Sequence, residues 1–152
     1  MKKLFIFGGL ALFLAACNKD KFKTQPTVTI NSFGPAQVNL GDAFTLNATV
    51  TDKEGDLQDS VLLVEKLSNP VTNDVLRTDT VPFSLQTFGI PTSNQIQLSA
   101  VFVDGRIVNG AMTYTSDDQS VDRNLAIGII VIDNAGHRSD YVESNKILLK
   151  KL

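Results

Sequence analysis

The carboxylates of Asp52, Glu54 and Asp56 stand at i, i+2 and i+4 in one short stretch, Asp52-Lys53-Glu54-Gly55-Asp56. Asp133 and Asn134 form a second oxygen-rich pair far along the chain. Oxygen is the ligand that Ca2+ prefers, and a calcium ion takes about six to eight of them. These five side chains are therefore the candidate metal ligands. The same residues have a plainer use, because acidic side chains beside glycine make soluble turns and tolerate left-handed backbone.

His137 is the single histidine, with Asp133 and Asp140 close to it in sequence. It offers a general base in principle, yet one histidine is a thin basis for acid–base work, and a turn residue fits it better. No serine lies in a Gly-x-Ser-x-Gly context, no histidine pair exists to hold a metal, and no glycine-rich phosphate loop is present. A non-catalytic protein is expected, with a hydrolase using Asp carboxylates as the enzymatic alternative. Asp117-Asp118-Gln119-Ser120-Val121-Asp122-Arg123 reads as a recognition loop or as a solvated connector. Tyr114 and Tyr141 are the two tyrosines that could stack on a sugar ring.

The elements that must carry these residues have the period of strands. Phe44, Leu46, Ala48 and Val50 alternate with Thr45, Asn47, Thr49 and Thr51, and Ile96, Leu98, Ala100 and Phe102 alternate with Gln95, Gln97, Ser99 and Val101. Such alternation puts one face into a core and the other into water. Val28 and Ile30 begin a shorter strand, and Ile147 to Leu149 closes the chain. Val61 to Val64 and Leu125 to Ile132 are apolar on both faces, which predicts central strands covered on both sides. Val75 to Thr80 and Val81 to Gln86 are weaker strands, and Pro82 suits an edge where no ladder N–H is needed. Phe33, Phe44, Phe83, Phe88 and Phe102 are expected to fill the core. Asp104-Gly105 predicts a two-residue hairpin, and Asn109-Gly110 and Asn134-Ala135-Gly136 predict further turns. No stretch carries a sustained helical period. Seven to nine short strands separated by turns read as a β-sandwich, with a closed barrel as the alternative.

Residues 1–16 have another character. Lys2 and Lys3 precede the apolar run Leu4 to Ala16, which is too short to span a bilayer. Small residues then lead into Cys17, the only cysteine. Charged start, apolar middle and small-residue end are the layout of a secretory signal. Leu14-Ala15-Ala16-Cys17 resembles the lipobox of bacterial lipoproteins. That resemblance implies cleavage after Ala16 and lipidation of Cys17, and Asn18 after the cysteine fits outer-membrane sorting in related lipoproteins. Several acyl chains make a stable anchor, since each buried CH2 contributes ~0.8 kcal/mol. With its thiol so used, the mature chain could form no internal disulfide and would rely on core burial. The whole chain carries 14 basic and 16 acidic residues. Loss of Lys2 and Lys3 makes the mature part more acidic, which argues against nucleic acid as a partner.

The division expected is a signal peptide over 1–16, a lipidated tether over 17–26 and one domain over 27–152. The domain resembles bacterial immunoglobulin-like domains of the cadherin, PKD and fibronectin III kind. Three pieces carry the resemblance: Pro26 to Ile30 with Leu40-Gly41-Asp42, Val50 to Leu57, and Ile129 to Ser139. The chain lacks tryptophan and a disulfide pair, and 106–122 is longer than a minimal domain needs. The resemblance implies an all-β, immunoglobulin-like antiparallel sandwich held at the outer membrane, on its periplasmic or cell-surface side. Its expected role is binding or assembly, with loops or a sheet edge presented to an envelope protein or a glycan. A structural spacer or adhesin subunit is the alternative. No cofactor is expected beyond the calcium considered above.

Overall fold

The computed structural model describes residues 25–88, 92–104, 112–114 and 120–151. The strands among them are β1 (Thr27–Gly34), β2 (Gln37–Asn39), β3 (Ala43–Thr51), β4 (Ser60–Ser68) and β5 (Val75–Ser84), then β6 (Gln95–Asp104), β7 (Met112–Tyr114), β8 (Arg123–Ile132), β9 (Val142–Glu143) and β10 (Ile147–Lys150). They form two sheets. One runs β1-β3-β6-β7; the other runs β2-β10-β8-β4-β5, with β9 also paired to β8. A single 3-10 turn, Leu85–Phe88, stands in place of any α-helix among the described residues.

Alternation in the sequence becomes the inner face of the smaller sheet. Phe44, Leu46, Ala48 and Val50 of β3 are buried, and β6 lies against them in register with Phe44 opposite Phe102. Those two rings stack with centroids 5.1 Å apart, and Phe33 meets Phe44 edge-on at 5.9 Å. Phe83 is partly buried against the same core; the Phe88 side chain lies outside the described residues. Across the gap, Leu125, Ile127, Ile129 and Val131 of β8 and Val61, Leu63 and Leu67 of β4 complete the core. β8 is central, as its two-faced apolar run predicts: every residue from Leu125 to Val131 is buried.

Three features differ from the sequence reading. Ten strands are present among the described residues, because β2, β7 and β9 are only two or three residues long. Segments that short carry no readable period. Two pairs are parallel, β2 with β10 and β6 with β7, so the sandwich is not wholly antiparallel. The two weak strands around Val81 are one continuous β5, paired with β4 from Ser84 to Val75. Pro82 is tolerated there because β5 pairs with β4 alone and forms the edge of its sheet. Residues 105–111, with the hairpin expected at Asp104-Gly105 and the turn at Asn109-Gly110, lie outside the described residues. The next strand, β7, runs parallel to β6, which a two-residue hairpin between them would not allow.

Candidate metal centre

The loop after β3 is built around Asp52. Its Oδ2 accepts the backbone N–H groups of Glu54 at 3.0 Å and Gly55 at 2.8 Å, folding the chain back on itself. Gly55 has φ +74°, a conformation that favours glycine. Leu57 then turns inward and is 1 % exposed, which pins the loop to the core. The chain just before β6 clamps the other side. Asn94 Nδ2 donates to the carbonyls of Asp52 and Lys53, and the Ser93 N–H donates to the Gly55 carbonyl.

The loop after β8 is a second tight turn, and it arrives at the same place. Asp133 is fully buried. Its carboxylate accepts the His137 backbone N–H at 2.8 Å on Oδ1 and faces the His137 ring Nδ1 at 3.0 Å on Oδ2. Ser139 then resumes pairing with β8 through Val131. The two loops join directly: the Asn134 N–H donates to the Asp56 carbonyl at 3.0 Å, and Asn134 Nδ2 donates to Gln58 Oε1 at 3.3 Å.

This convergence gathers Asp52, Asp56 and Asp133, with one carboxylate oxygen of each within 4.8 Å of the others. Asp52 is only 4 % exposed and Asp133 is buried, while Asp56 is half-buried. The Oδ1 atoms of Asp52 and Asp56 are buried without any hydrogen-bond donor. Burial, contact with the Asp52 carboxyl and repulsion from Asp133 push the Asp56 carboxyl above the ordinary aspartate range. Of the five ligands expected from sequence, then, three come together. Glu54 is exposed and joins the loop through its backbone, and the Asn134 side chain is taken up by Gln58. Oxygen ligands of this kind suit a hard cation. Ser93, Asn94 and Gln58, which hold the loops in place, carry no motif that would mark them in the sequence.

His137 stays beside the cluster, and the other sequence candidates are dispersed. His137 is tied to Asp133, and Ser139 Oγ is bound to the Asp140 carbonyl and the Val131 N–H, so no Ser–His pair forms there. A cleft lined by Gln25, Pro26, Thr27, Val28, Asp140 and Val142 contains one acid only. The Tyr141 ring lies on the outer face of β8, with its hydroxyl on Glu143 and Lys66 above it. Cys17, Asp117, Asp118 and Gln119 lie outside the described residues, and Tyr114 belongs to β7.

No protein-family model matches the chain, and no curated protein matches it. Solved structures align with it at low similarity. The sporulation control protein Spo0M from Bacillus subtilis aligns with a TM-score of 0.44 and 9 % identity, over 84 % of this chain and 50 % of that one. The alkylpurine DNA glycosylase AlkC of Pseudomonas fluorescens aligns at 0.39 and 12 %, over 81 % and 30 %. A β-glucosidase from Listeria innocua aligns at 0.36 and 9 %, over 82 % and 16 %. The chain thus spans half or less of these proteins, and at such similarity no activity carries over.

Proposed function

We propose that this protein is a lipid-anchored module of the bacterial cell envelope, held at the outer membrane. It is non-catalytic and recognises an envelope protein or glycan through its loops or a sheet edge. The leader is the observation that carries this reading: a cationic start, a short apolar run and Leu14-Ala15-Ala16-Cys17 precede the strand-built body. The body supports a display role. Loops 52–59 and 133–139 converge at one end of two packed sheets, and binding residues commonly sit on loops held by such a scaffold. Strand order supports the immunoglobulin-like type, because β1-β3-β6 and β10-β8-β4 correspond to the A-B-E and G-F-C groupings of that fold.

Mass spectrometry of the protein from its native membrane tests the anchor. The expected N-terminal peptide begins at Cys17 and carries acyl mass. Cys17→Ser should move the protein out of the membrane fraction. An unmodified thiol, or a chain that still begins at Met1, would sink the proposal. Photo-crosslinkers placed at Gln58 and Asn134 would then identify what the loops meet.

A further inference from the structure

We propose that Asp52, Asp56 and Asp133 bind a divalent cation, Ca2+ in preference to Mg2+, at the junction of the loops after β3 and β8. This site stands apart from the membrane reading and holds or falls whether or not Cys17 is lipidated. Two observations meet in it. Three carboxylates from two distant parts of the chain bring their oxygens within 4.8 Å of one another. Within that group, Asp52 is nine-tenths buried and its Oδ1 has no donor, and Asp56 Oδ1 has none either. Buried polar atoms are nearly always partnered, so two bare carboxylate oxygens on members of one acidic cluster ask for a positive charge there.

The geometry suits calcium. With bonds of about 2.3–2.6 Å, oxygens on one Ca2+ lie no more than roughly 4.6–5.2 Å apart, and three carboxylate oxygens all within 4.8 Å of one another satisfy that limit. Loop-borne carboxylates arriving from irregular directions match its tolerant coordination, with water completing the shell; Mg2+ demands a near-octahedral arrangement. Existing bonds can stay. Asp52 uses only Oδ2 for the Glu54 and Gly55 N–H groups. Asp133 holds His137 through one contact on each oxygen, and a carboxylate has about four acceptor positions. Bound calcium would rivet the two loops together and remove the repulsion that now opposes their approach. A proton shared between Asp52 and Asp56 is the competing occupant.

The test uses the full-length chain in detergent micelles, stripped with EDTA, with thermal melting followed by circular dichroism and binding by calorimetry. Calcium at about 1 mM should raise the melting temperature by about 5 °C or more, with a smaller rise from magnesium. Asp52→Asn keeps an oxygen for the Glu54 and Gly55 N–H groups, and Asp56→Asn removes charge at the half-buried position. Both variants should melt in EDTA no lower than the parent and should show no calcium response. Asp140→Asn, outside the cluster, should respond as the parent does. A parent protein indifferent to calcium overturns the proposal and leaves the shared proton. A calcium response that survives both cluster variants overturns it equally, since the ion would then bind elsewhere.

Discussion

At the scale of single residues, Gly128 shows how a missing side chain can be a packing device. A Cβ built there would stand 2.0 Å from Cε2 of Tyr141. The ring therefore rests directly on the β8 backbone, and its hydroxyl is held by Glu143, which also receives Lys66. Burial acts to raise the Glu143 carboxyl, but the hydrogen bonds from Lys66 and Tyr141 outweigh it and hold it below the ordinary glutamate range. Gly128→Ala should cost about 1–3 kcal/mol by forcing the ring away. Tyr141→Ala in the same chain should cancel most of that loss, and urea unfolding of the four proteins of the cycle measures it. Additive losses would show that the ring does not rest there. None of this was legible in the sequence. A glycine in a strand signals close approach by something, and nothing local says that the something is a tyrosine thirteen residues on. Asp52 and Asp56 are legible as oxygen ligands because their spacing is local; their meeting with Asp133 depends on the two loops sharing an end. Only the fold decides that.

Elements with strong periodicity are legible in the sequence, and those with mixed signals are less so. β3 alternates throughout, β8 is apolar from Leu125 to Ile132 apart from Gly128, and β6 alternates until Val101. β5 carries Pro82 and polar residues on both faces, and its existence depends on β4 beside it. β4 itself contains an anomaly. Glu65 falls in phase with the inward-facing Leu63 and Leu67, opposite Ile127 on one side and Asp79 on the other. Burial, reinforced by Asp79 and opposed by Arg77, raises its carboxyl above the ordinary glutamate value. The folded chain thus holds this proton more tightly than the unfolded chain. The resulting stabilisation is complete below the unfolded value and is lost as pH rises through the folded one. Glu65→Gln should remove that slope and leave the variant more stable than the parent at neutral pH. Denaturant titrations from acid to neutral pH check this; a parent that gains stability relative to the variant across the same range would contradict the assignment.

On the scale of the whole molecule, one ion pair clasps the two sheets at the end opposite the aspartate loops. Lys151, just past β10 of the larger sheet, meets Asp104 at the end of β6 in the smaller one, and their side chains are 1 % and 0 % exposed. Lys151→Met would strand a buried carboxylate and should cost about 3–5 kcal/mol. Adding Asp104→Asn should recover a large part of that. Chemical denaturation gives both numbers, and a single variant as stable as the parent would mean the clasp carries no weight. The register of β1 reaches further. Thr27 pairs with Thr51, one residue before Asp52, and Gln25 reaches Asp140 in the loop after β8. The polypeptide therefore departs toward Cys17 from the aspartate end. At ~3.3–3.6 Å per residue, the eight steps from Cys17 to Gln25 can span no more than about 30 Å. If Cys17 is acylated as proposed, covalent reach alone keeps Gln25, and with it the aspartate end, within about 30 Å of the lipid attachment. A partner that docks on that tip would then meet it within a short tether's reach of the membrane surface, while the Asp104–Lys151 clasp marks the far end of the sheets.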